Sequence, residues 1–138
     1  MTPFVVGALL AVAVAALGNV TRFDRDRSFY PTLLIIIASY YILFGLQGVS
    51  TSALVQEVAI AIIFSAVALL GALRFPLLVG IGIAAHGLFD LVHDVIIQNP
   101  GVPSWWPGFC MSVDLILGFW VIGLSSSRRT DIVTSSPL

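Results

Sequence analysis

The chain has 138 residues, 59% of them hydrophobic and 9% charged, with a formal net charge of −1. Soluble domains carry roughly 25% charged residues, so the mean hydropathy of +1.07 identifies an integral membrane protein. The length fits one domain over residues 1–138, the lack of a basic cluster argues against nucleic acid as a partner, and a single cysteine, Cys110, leaves no internal disulfide.

A helix needs about 20 apolar residues to cross a bilayer, and the sequence divides into five such runs. The first covers about Pro3 to Val20. It has no cationic segment before it, so it reads as a mature span rather than a cleaved signal. A loop with alternating charges follows, through Arg22, Asp24, Arg25, Asp26 and Arg27. The second run is about Pro31 to Val49, with Pro31 suited to a first helical position. A Ser50-Thr51-Ser52 turn leads to the third, about Ala53 to Leu73. Pro76 opens the fourth, which reaches about Gln98. A loop with three prolines and the pair Trp105-Trp106 separates it from the fifth, about Gly108 to Leu124, and a polar tail ends the chain. The fold expected is an all-α bundle of five transmembrane helices.

Every cation is an arginine: Arg22, Arg25, Arg27, Arg74, Arg128 and Arg129. Five spans put all of them on one side. The positive-inside rule makes that side cytoplasmic, with the N-terminus outside, the C-terminus inside and the paired tryptophans in the outer interfacial belt.

Ionisable residues are costly at membrane depth and face a protein interior or a watery cavity. The fourth run nevertheless contains His86, Asp90, His93 and Asp94. At about 100° per residue, His86, Asp90 and His93 share one helix face and Asp94 lies further round. Counting about 1.5 Å per residue from the outer end puts Asp94 at about 6 Å, Asp90 at about 12 Å and His86 at about 18 Å. By the same rise Glu57 of the third run and Asp114 of the fifth are about 6 and 9 Å deep. The intramembrane acids of three helices thus share the outer half, which predicts one polar site. Gly80, Ala84 and Gly87 form a strip on another face of the fourth helix, where small residues allow close helix packing.

Histidine and carboxylate ligands in this arrangement suit a divalent metal, zinc first, with iron or manganese as alternatives. The candidate ligands are His86, Asp90, His93 and Asp114. His86 and His93 are about 10 Å apart along the helix, so His86 with Asp90, or Asp90 with His93, is the more natural core of a site. Glu57 and Asp94 are the candidate catalytic residues, as general base to a metal-bound water. That chemistry would hydrolyse a lipid or small-molecule substrate at the outer leaflet. Two other classes stay open: a proton or cation relay along the His/Asp column, and a structural subunit whose acids and imidazoles pair to lock the bundle. Oligomeric state is open too, a homo-oligomer among the options.

The strings Phe29-Tyr30-Pro31-Thr32, Ala38-Ser39-Tyr40-Tyr41, His86-Gly87-x-x-Asp90-x-x-His93 and Asn99-Pro100-Gly101-Val102-Pro103-x-Trp105-Trp106-Pro107-x-Phe109-Cys110 occur together. This combination resembles a family of small bacterial integral membrane proteins of unknown function. The resemblance implies a multi-pass protein of the bacterial inner membrane and no particular activity.

Overall fold

A computed structural model describes residues 2–134, with side chains as far as residue 127. Arg128 and Arg129 therefore fall where the side chains are outside the described residues. Each apolar run forms a helix, the form in which a backbone in hydrocarbon satisfies its own N–H and C=O groups. The helices are α1 (Thr2–Thr21), α2 (Phe29–Gln47), α3 (Thr51–Leu73), α4 (Pro76–Ile96) and α5 (Trp106–Thr134), with one 3-10 turn at Phe23–Arg25. All five are long and apolar enough to cross a membrane. No strand occurs among the described residues, and the all-α multi-pass architecture follows.

The helix ends show local chemistry at work. The Ser50 side chain caps α3 by accepting a hydrogen bond from the Ala53 N–H at 3.3 Å. Pro76 occupies the first turn of α4, where its missing N–H is no loss. Most bounds shift by a residue or two from the sequence expectation, and those of α2 and α5 are informative. α2 begins two residues before Pro31, which still lies in the first turn, where the N–H groups lack helical partners in any case. α5 begins at Trp106 and runs past Leu124, because the serines of the expected tail bond back into the helix. Ser126 Oγ donates to Ile122 O at 2.9 Å and Ser127 Oγ to Gly123 O at 3.0 Å.

α5 lies between α1 and α4, and α4 also packs on the α2–α3 pair. The small-residue strip accounts for the α4–α5 pairing. A Cβ placed on Gly118 would lie 2.7 Å from Ala84 N, and one on Gly80 would lie 2.8 Å from Ile122 N. A Cβ on Gly87 would lie 2.9 Å from Asp114 Cβ. The strip expected to sit apart from the polar face thus brings α5 close enough to carry Asp114 to that face. Toward the arginine-bearing end the interior is apolar, with Leu34, Val79, Ile83, Leu117 and Val121 buried together.

At the other end, the α4–α5 loop presses on the end of α2. A Cβ on Gly48 would meet Gly101 N at 2.6 Å, and one on Gly101 would meet Gly48 N at 2.8 Å. The next residue, Val49, adopts φ 50°, a left-handed conformation unfavourable for a β-branched side chain. Strain of this kind costs about 1–3 kcal/mol and is sustained here by the tight α2–α3 turn.

Because Gly118 faces backbone rather than a movable side-chain tip, Gly118→Val is expected to destabilise the bundle by about 1–3 kcal/mol through overpacking. Gly123→Ala, where nothing lies within 4 Å of the added Cβ, is the neutral control. Denaturant titration in bicelles compares the two.

Candidate metal centre

Helical spacing aligns His86, Asp90 and His93 on the inner face of α4, at 0%, 2% and 0% exposure. Tyr41 from α2, Glu57 from α3, Asp114 from α5 and Asn99 from the α4–α5 loop complete a buried polar region. It consists of two groups joined by Tyr41.

The deeper group is His86, Asp90 and Asp114. Each offers a ligand atom, and these atoms lie within 4.8 Å of one another. His86 Nδ1 lies 2.8 Å from Asp114 Oδ2, within hydrogen-bond distance, and 3.8 Å from Asp90 Oδ2. Asp90 Oδ1 accepts from the Tyr41 hydroxyl at 2.7 Å. Among the described residues its Oδ2 has no hydrogen-bond partner, nor do Asp114 Oδ1 and His86 Nε2. Phe64 packs edge-on against the His86 ring, with centroids 4.7 Å apart, and fixes its plane. These three residues can hold a metal ion.

The outer group is built on His93. Its Nε2 lies 2.9 Å from Glu57 Oε1 and its Nδ1 lies 3.2 Å from Asp94 Oδ1. Asn99 Nδ2 donates to the same Glu57 oxygen at 2.8 Å, while Glu57 Oε2 has no hydrogen-bond partner among the described residues. The Asp94 side chain is 71% exposed and connects His93 to the surface. Tyr41 stacks on His93, with centroids 4.1 Å apart and planes at 23°, while its hydroxyl reaches Asp90. One phenol ring therefore links the two groups.

Of the residues singled out from sequence, His86, Asp90 and Asp114 form the deeper group. His93, Glu57 and Asp94 form the outer one, so His93 is held apart from the three residues that can surround an ion. Cys110 is buried with a free thiol and is not among those three residues. Tyr41 and Asn99 complete the arrangement, and sequence reasoning gave neither a site role. Tyr40 and Tyr41 are equivalent by composition and depth, but Tyr41 is 2% exposed and Tyr40 39%. The signal for Tyr41 lies in helix phase: it is buried with Leu34, Ala38 and Gly45 at spacings of three to four residues. Asn99 reads as part of a proline-rich loop, and only the fold shows that loop turning inward.

Two carboxylates and one imidazole in the deeper group leave a deficit of positive charge in a medium where uncompensated charge is costly. A cation or bound protons can supply it. Tyr41 is placed to orient Asp90, as partners behind metal ligands do, and Asn99 holds Glu57 of the other group.

No curated protein and no solved structure matches this chain. A family model described as a family of unknown function, DUF6010, matches residues 2–127. With nearly the whole chain covered, five helices long enough to span a membrane and one buried His/Asp group at their centre, the protein belongs to the DUF6010 family.

Proposed function

We propose that this is a metal-binding protein of the bacterial inner membrane, and that His86, Asp90 and Asp114 hold one divalent cation, zinc first, in the outer half of the bilayer. The observation that carries this reading is Asp90 Oδ2. It is buried, turned toward His86 Nδ1 at 3.8 Å, and has no hydrogen-bond partner among the described residues. Buried polar atoms are nearly always partnered, so an exception next to a second carboxylate and an imidazole calls for a bound species. One imidazole and two carboxylates suit zinc, manganese or iron. The arginine distribution favours an N-terminus outside, which turns the Asp94–His93 side of the polar region toward the periplasm as the side from which an ion would enter.

A through-membrane relay has less support. Leu34, Val79, Ile83, Leu117 and Val121 form an apolar plug between the polar region and the arginine-bearing end. Hydrolysis is also less supported, because the three residues are 0–2% exposed and a substrate needs access. Burial of this degree favours a retained ion that fixes α4 against α5. In a hydrolytic use Glu57, with one unpartnered oxygen, would be the base and Asp94 the surface group leading to it.

Elemental analysis of protein purified without chelators should find about one metal ion per chain. His86→Ala and Asp114→Asn should lose it, whereas His93→Ala should retain it. Absence of metal after challenge with zinc, iron and manganese in turn would overturn the reading in favour of a proton-locked ion-pair cluster.

Removal of the ion with a membrane-compatible chelator should lower the unfolding midpoint. A ligand present at one hundred times its Kd stabilises by about 2.7 kcal/mol, and readdition of zinc should restore that difference. Tyr41→Phe deletes the donor to Asp90 with little change in shape and should weaken metal binding by about 10–100-fold, measured by competition against a chelating dye.

A further inference from the structure

A groove lies at the arginine-bearing end, away from the His86/Asp90/Asp114 group. The α1–α2 loop, the α3–α4 turn and the adjoining part of α5 enclose a groove of about 1140 Å³. Its polar rim includes Asp26 and Arg27 from the loop and Arg74 from the turn, and its apolar wall includes Leu77, Ile81 and Leu124. Both arginines are exposed, and among the described residues neither forms an ion pair with a carboxylate. The N-terminus of α4 opens onto the same groove without a side-chain cap; Pro76 has no N–H and the Leu78 N–H donates to Phe75 O, so its contribution is the positive end of a helix dipole.

Two guanidinium groups and a helix N-terminus above a hydrocarbon wall are the chemistry that receives a phosphate joined to acyl chains. The volume exceeds the roughly 300–1,000 Å³ of ordinary small-molecule pockets, enough for a headgroup and the first segments of its chains. Asp26 adds a negative element. Its Oδ1 accepts from the Ser28 N–H at 2.9 Å and the Ser28 hydroxyl at 2.8 Å, and these bonds lower its pKa and keep the carboxylate charged. The rim thus carries an acid as well as arginines and complements a headgroup with both signs of charge.

We propose that this groove binds one phospholipid with a zwitterionic, amine-bearing headgroup, its phosphodiester held by Arg27 and Arg74 and its ammonium directed to Asp26. The site is independent of the metal reading, because no residue is shared.

The test is native mass spectrometry of delipidated protein titrated with phosphatidylethanolamine, phosphatidylglycerol and diacylglycerol, with inorganic phosphate as a soluble competitor. Phosphatidylethanolamine should be retained about tenfold better than diacylglycerol, equivalent to about 1.4 kcal/mol, and better than phosphatidylglycerol. Arg27→Gln/Arg74→Gln should erase the advantage over diacylglycerol, Arg74→Lys should keep part of it, and Asp26→Asn should erase the preference over phosphatidylglycerol. Unchanged thermal unfolding of each variant shows that the loss is local. Four results would overturn the proposal: equal retention of diacylglycerol, preference of the unaltered protein for phosphatidylglycerol, displacement of lipid by millimolar phosphate, or retention insensitive to the arginine variants.

Discussion

Five ionisable side chains, Glu57, His86, Asp90, His93 and Asp114, are 0–2% exposed in a protein whose five helices are otherwise almost wholly apolar. Each would be prohibitively costly alone in hydrocarbon. The bundle can therefore form only with α3, α4 and α5 rotated so that these groups meet. Apolar packing supplies no comparable instruction, because lipid tails are as apolar as leucine and helix faces covered in valine or leucine have little preference between lipid and one another. The polar contacts set the phase and register of the helices, and the rest of the packing conforms to them.

Close packing then decides which contacts are reachable. His86 Nδ1 and Asp114 Oδ2 are 2.8 Å apart only because α4 and α5 approach at Gly87, Gly118 and Gly80. With larger side chains at these positions the helix axes would separate and the aspartate would withdraw from the imidazole. The glycines and the histidine are thus parts of one device: the former set the spacing and the latter supplies the bond that the spacing permits.

Much of this was legible from residue patterns alone. Helix number follows from hydropathy, and the common depth of Glu57, Asp90 and Asp114 follows from counting along the helices. The division into two groups was partly legible, since the helical rise already separates His86 from His93. The choice of Tyr41 over Tyr40 was not, because depth and composition treat them alike and the phase of α2 depends on its neighbours. Asn99 was least accessible. An asparagine before a proline signals a turn, and nothing local says that the turn points inward. The extension of α5 beyond Leu124 was missed for a different reason: serines that mark a solvated tail by composition bond back to Ile122 and Gly123.

Asn99 also shows how the outer loop and the buried site depend on each other. Its amide donates to Glu57 Oε1 and to Tyr41 O, while its carbonyl accepts from the Gly101 N–H at 3.1 Å. That last bond sits where Gly48 and Gly101 let two backbones touch, next to the left-handed Val49. A loop without buried partners would gain nothing from such a tight and strained junction. Here the close approach is accompanied by a hydrogen bond to a carboxylate in a low-dielectric interior, where such bonds are strong and their loss is costly. The loop is therefore held by the polar region it covers, and Glu57 and Tyr41 are held in turn by the loop. On the Asp94 side the deeper carboxylates are therefore covered by contacts that depend on one another.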